Sequence, residues 1–217
     1  MAGVNRRRGY DSSGRRDEAR ARRRRIVLAA TDLFERRGFH VTIAEIADAA
    51  GVSPETIYKS FDGKSGLIKD ALDQALAGDD NDVRVADRPE NKAVDIEPDP
   101  RRKIERYAAT AVPRIERAGR LMIAIRDGAR SDPALQTLWA QALQQRLDGM
   151  TMLARHLSES GTLRPGLTVD KARDTLWTLI SPEIYELLVV RRGWSIAEYQ
   201  DWITHAMIAE LLPDLAT

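Results

Sequence analysis

The segment Thr42–Phe61 reads TIAEIADAAGVSPETIYKSF, and two short helices parse out of it. Thr42 and Glu45 have the spacing at which hydroxyl and carboxylate satisfy each other's backbone N–H at a helix start. Ile46, Ala47 and Ala50 give that helix one buried face, and Gly51 allows the left-handed turn that ends it. Ser53 then stands as an N-cap with Pro54 at the first helical position, where a missing N–H costs nothing. Ala47 is small enough for a close helix crossing, with Val52 and Ile57 filling the space beneath. If Ile57 and Phe61 point inward, the opposite face carries Glu55, Thr56, Tyr58 and Lys59. This is the layout of a helix-turn-helix, whose second helix offers donors to phosphates and base edges.

Upstream, Ile26, Ala29, Ala30, Leu33 and Phe34 recur at helical spacing, predicting a first helix from about Asp17 to Gly38. Downstream, a fourth helix begins near Lys64 and buries Leu67, Ile68, Ala71, Leu72 and Ala75. Lys64 at that helix start suits a phosphate, as do the arginines at 22–25, 36 and 37. Residues 1–25 hold ten arginines and three acids, a net of +7 in a chain whose total is +1. Residues 1–16 therefore read as a disordered basic arm that attracts a polyanion, and 17–77 as the helix-turn-helix domain.

Residues 79–99 carry eight acids against three bases, with prolines at 89 and 98. Residues 78–100 read as an acidic linker or loop. From 101 to 217 the pattern is helical throughout, with a kink expected at Pro113, a separate short helix at Arg120–Arg126 and an interruption at Pro182. The fold class is all-α, about nine helices, with no sustained strand alternation. Leu176, Ile180, Ile184 and Leu188, joined by Tyr199, Ile203 and Met207, form stripes too wide for one subunit to cover, so they are expected at a four-helix dimer interface. Tyr107, Met122, Arg126, Trp139, Met150, Met152, Trp177 and Tyr185 are candidates by residue type for a ligand pocket among the middle helices.

Several classes are disfavoured. The chain has no cysteine, and its longest apolar runs are too short for a bilayer. No secretory signal is evident, so a cytoplasmic protein, at the nucleoid when bound to DNA, is expected. His40, His156 and His205 have no metal-type spacing, and no Gly-x-Ser-x-Gly elbow occurs. Neither enzymatic activity nor a cofactor or metal is expected.

Arg25-Ile26, Ala29-Ala30, Leu33-Phe34, Gly38-Phe39, Thr42, Ile46-Ala47, Ala50-Gly51-Val52-Ser53, Thr56-Ile57-Tyr58, Phe61, Lys64 and Leu67 together resemble the N-terminal domain of the tetracycline-repressor (TetR) family of bacterial transcriptional regulators. The resemblance implies a homodimer on a palindromic double-stranded DNA operator, and a C-terminal domain for ligand binding and dimerisation over 101–217. A small-molecule inducer would release such a repressor. Thr42 and Lys64 would contact phosphates, while Thr56, Tyr58 and Lys59, with Ser53 and Glu55, would sit at the major groove. Glu55, Ser60 and Gly63 depart from the residues common in that family. The alternatives are an activator, or a helical binding protein or enzyme with a vestigial helix-turn-helix.

Overall fold

The computed structural model describes residues 12–78 and 88–214. Helix α1 (Ser12–Arg37) starts earlier than the apolar period suggests. Its first half is exposed, yet Arg, Ala and Glu hold a helix without burial. Its second half buries Ile26, Val27, Ala30 and Phe34. The expected arm thus loses residues 12–16 to α1, and residues 1–11 lie outside the described part.

A 3₁₀ turn, Gly38–His40, leads into α2 (Ile43–Ala50), α3 (Pro54–Phe61) and α4 (Gly63–Ala77). The Thr42/Glu45 capping box is formed, and Gly51 closes α2 with φ +64°. Between α3 and α4 the chain turns sharply. Asp62 is the one non-glycine residue with positive φ (+53°) among the described residues, and Gly63 follows at +83°. Ile46, Ala47, Ile57, Phe61, Leu67 and Ile68 close this head into a core.

The segment expected as a linker contains α5 (Pro89–Asp95), which starts on a proline and buries Val94. The nearly buried Lys103 stitches it to the next helix by donating from Nζ to the Asp95 carbonyl at 2.9 Å. That helix, α6 (Pro100–Gly128), runs unbroken through Pro113, so no separate helix begins at Arg120. An interior proline costs about 3 kcal/mol. Val112, Ile115, Leu121, Met122 and Ile125 are all buried along the same helix, each worth about 1.5–3 kcal/mol, so packing outweighs the break.

Helix α7 (Pro133–Glu159) is capped by Asp132, whose carboxylate accepts from the Ala134 and Leu135 amides. Then come α8 (Val169–Leu179) and α9 (Pro182–Tyr185), separated at the expected interruption; α9 widens into a π turn over Glu186–Arg191. Helix α10 (Ile196–Leu211) begins at a second capping box, Ser195 with Glu198. Helix α6 is the axis. It packs against α4 and α1 of the head and against α7, α9 and α10 of the body.

This packing corrects the expected dimer face. Leu176, Tyr199, Ile203 and Met207 are fully buried within the single chain, and Ile180 nearly so. Helix α10 lies on α6 and α8, which cover these side chains. Of the seven expected interface residues only Ile184 and Leu188 stay partly exposed.

Candidate nucleic-acid interface and adjoining cavity

Helix α3 is fixed from below by Ile57 and Phe61, which are buried, and from the side by Arg23 of α1. The Arg23 guanidinium lies 4.3 Å from the centre of the Phe61 ring, donates to the Ser60 carbonyl and pairs with Asp70 of α4. The face turned away from the core exposes Ser53, Glu55, Tyr58, Lys59 and Ser60. The Tyr58 ring is 59% exposed, unusual for so large an aromatic with no neighbour to cover it. Thr56 is half-buried, its hydroxyl 3.2 Å from that of Ser53. Its own backbone N–H and the Ser53 hydroxyl hold the Glu55 carboxyl below its ordinary range, so it is an anion at neutral pH.

Two expected phosphate contacts look different in place. Both donors of Thr42, the amide and the hydroxyl, go to Glu45 Oε2 at 2.8 Å. A phosphate here would have to displace a carboxylate that also repels it. Lys64 is drawn inward: Nζ donates to the Phe39 carbonyl at 2.8 Å and lies 3.9 Å from the centre of the Phe39 ring. Burial lowers its pKa, against the opposing pull of Asp132. It therefore ties α4 to the 3₁₀ turn that follows α1. Arg36 and Arg37 likewise pair with Asp32 and Glu45, whereas Arg22 and Arg25 are exposed on α1.

The capping box has a pH signature. Hydrogen bonds from the Thr42 amide and hydroxyl, with Arg37 beside them, hold the Glu45 carboxyl down to about 2. A depressed folded-state pKa stabilises above the unfolded value of 4.5, and that contribution is lost as pH falls toward 2. Thermal melts should therefore show wild type above Glu45→Gln by a constant margin at neutral pH, narrowing through this acid range. A margin independent of pH would contradict the assignment.

Beyond the head, α5, α6 and α7 enclose a cavity of about 580 Å³. Met122, Met150, Met152, Ile115, Leu153 and Ile180 supply much of its apolar wall. Tyr107, Asn91, Arg114, Gln145 and Arg146 bring the polar groups. Tyr107, Met122, Met150 and Met152 thus belong among the sequence candidates that line it. Arg126, Trp139, Trp177 and Tyr185 do not. Arg126 is committed to ion pairs with Glu186 at 2.9 Å and Asp127 at 3.0 Å. Tyr185 packs edge-on against Tyr199, with ring centres 5.8 Å apart, and Trp139 packs on the core. Trp177 lies beneath the Arg146 guanidinium, 5.4 Å away, and its carbonyl accepts from Arg146 Nη2. Arg114 and Arg146 went unnoticed in the sequence because arginines on amphipathic helices look like any solvated charge.

A polar, exposed third helix on a small helical head, carried by a larger helical body with a cavity, is a helix-turn-helix architecture. Residues 26–71, the segment that builds most of this head, match the family model described as bacterial regulatory proteins, tetR family. The likeness of fold extends over most of the chain. A transcriptional regulator from Saccharomonospora viridis in complex with choline superposes with a TM-score of 0.69 at 22% identity, covering 91% of this chain and 99% of its own. NalD, the secondary repressor of the MexAB-OprM multidrug efflux pump in Pseudomonas aeruginosa, gives 0.68 at 23%, covering 92% and 100%. The fatty acid degradation regulator FadR from Bacillus halodurans gives 0.67 at 17%, covering 86% and 94%. These relatives are transcriptional regulators rather than enzymes. No curated protein sequence matches the chain. Among the described residues no helix is long and apolar enough to cross a membrane.

Proposed function

We propose that the protein is a homodimeric transcriptional repressor that binds a palindromic operator in the cytoplasm and is released by a small molecule held in the cavity. The observation that carries this reading is the exposed polar face of α3, with Tyr58 and Lys59 at its centre, on a head whose core is closed. Exposed tyrosine and lysine beside exposed serine and glutamate suit a groove that offers both phosphates and base edges. Each subunit would set α3 in one half-site, with half-site centres roughly 34 Å apart along the duplex. The cavity supports ligand response, as does the choline complex of the Saccharomonospora viridis regulator. A ligand acts by binding more tightly to the conformer whose heads are wrongly spaced for DNA.

Selection of bound fragments from random duplex DNA tests the reading. It should return an inverted repeat with its halves one duplex turn apart. Recovery of unrelated sequences, or of none, would overturn it. Activation instead of repression would appear as lowered reporter expression on deletion of the gene.

For the dimer, the apolar surface left uncovered points to α9, its π turn and α10. Leu187 is 52% and Trp202 36% exposed, beside the partly exposed Ile184, Leu188 and Trp194. A contiguous patch of this kind suits a second copy related by a two-fold axis. Leu187→Asp should convert the dimer to a monomer of normal helicity in light scattering coupled to size exclusion. A persistent dimer would move the interface elsewhere.

A further inference from the structure

The cavity wall carries two arginines that form no ion pair among the described residues. Arg114 of α6 and Arg146 of α7 both line it. Arg114 Nη2 donates to Asn91 Oδ1 at 3.2 Å. Arg146 Nη2 donates to the Trp177 and Ile180 carbonyls at 2.9 and 2.8 Å, at the open end of α8, which a cation suits. Among the described residues neither guanidinium forms an ion pair, and Arg146 Nη1 is buried without a hydrogen-bond partner.

Tyr107 completes the group. Burial pushes its phenol pKa up, while the charges of Arg114 and Arg146 pull it down, which puts the ring within reach of both fields. Burial lowers both arginine pKa values as well. Glu90 and Glu183 pull on Arg114 and Arg146 through space, but among the described residues neither carboxylate forms an ion pair with them. Asp148 is exposed and accepts from the Gln144 amide at 2.8 Å, and Asp95 is exposed 3.7 Å from His156 Nδ1. Two poorly solvated guanidiniums without an ion-pair partner are costly to hold in the folded chain. Such a charge persists in a folded protein when something else neutralises it. Much of the remaining wall, Met122, Met150, Met152 and Leu153 among it, is flexible thioether and aliphatic, which fits an extended chain of methylenes.

We infer, resting on the ligand-responsive reading above, that the cavity takes an anionic amphiphile of the aliphatic carboxylate class. The head group lies among Arg114, Arg146 and the Tyr107 hydroxyl, and the tail runs along Met122, Met150 and Leu153. The volume of about 580 Å³ falls in the range of roughly 300–1,000 Å³ usual for a small-molecule site. A cation is opposed by both arginines. A neutral molecule of the same length leaves them as they are.

Calorimetric titration of the full-length protein with decanoate, 1-decanol and decyltrimethylammonium, each below its micelle concentration, isolates the head group. Decanoate should bind more tightly than the alcohol by roughly ten- to a hundredfold, the worth of hydrogen bonds to charged groups, and the ammonium least. Arg146→Met should erase the preference for decanoate over decanol. Because Arg146 also closes the end of α8, that variant can lose the fold. Arg114→Met, which leaves those bonds alone, should reduce the preference with unchanged circular dichroism. Equal binding of the three probes, preference for the cation, no binding of decanoate, a folded Arg146→Met that keeps the wild-type preference, or an Arg114→Met with the preference undiminished would each overturn the inference. Operator binding is read separately by gel shift. If decanoate binds with the expected charge preference but leaves the DNA complex intact, the ligand class stands and the ligand-response reading falls.

Discussion

Gly66→Ala is expected to be the most damaging small substitution in the chain. A Cβ built on Gly66 would sit 1.7 Å from the Phe61 carbonyl oxygen and 2.9 Å from its carbon. No rotamer relieves that overlap, because both partners are backbone. The reversal through Asp62 and Gly63, two successive positive-φ residues, brings the end of α3 over the first turn of α4 and leaves room for a hydrogen only. The substitution must open the junction, lift Phe61 from the core and reorient α3. We expect a loss of about 3 kcal/mol or more, which for a chain of this length lowers the melting temperature by roughly 6–12 °C. Gly149→Ala is the internal comparison: it lies in α7 with nothing within 4 Å of the added methyl. There the same change should raise stability by up to about 1 kcal/mol through helix propensity. If the two variants melt alike, the close approach at α3 and α4 is wrong.

Tyr58→Ala should have the largest effect on DNA and almost none on folding. The ring is 59% exposed, so its removal should alter stability by no more than about 0.5 kcal/mol. A side chain that reads a base edge is worth about 1–3 kcal/mol, or roughly five- to 150-fold in affinity, and its loss should relax the preference at one position of each half-site. Lys59→Ala provides the contrast. A lysine on a phosphate carries no sequence information, so this variant should weaken binding to all duplexes alike. Anisotropy titrations on the selected operator and on single-base variants separate the two. Unchanged operator affinity for both variants would mean that this face of α3 does not enter the groove.

The head was legible because its signals are local. The cap at Thr42, the turn at Gly51 and the proline at position 54 act within a few residues, and α2 and α3 form where they place them. What periodicity leaves open is what covers an apolar face. Tyr199, Ile203 and Met207 read as a stripe awaiting a second subunit, yet α6 and α8 of the same chain cover it. The continuity of α6 was hidden for a similar reason. Pro113 is a local breaker, and only the packing around Val112 and Ile115 decides that the helix passes through it. The start of α1 escaped because an arginine-rich helix in water has no apolar period at all. Gly66 gave no warning either, since its constraint comes from a neighbouring helix rather than from its own dihedral angles. In the cavity, residue type alone picked out the methionines and Tyr107. The two arginines acquire meaning only when α6 and α7 bring them to the same space.

The unbroken length of α6 has a mechanical consequence. At a rise of about 1.5 Å per residue its 29 residues make a strut of roughly 43 Å. One stretch of it, through Tyr107, Arg114 and Met122, forms wall for the cavity. Its far end meets the reading head, where a methyl on Gly128 would come within 3.0 Å of Phe39, the residue whose carbonyl anchors Lys64. A strut that is stiff in compression transmits a push along its length without absorbing it. Its weakest point in bending is Pro113, where one backbone donor is missing, and there the helix runs between Arg114 in the cavity wall and Leu76 and Ala77 at the end of α4. Cavity wall and head thus share one rigid element, and its single missing backbone donor lies where the two adjoin.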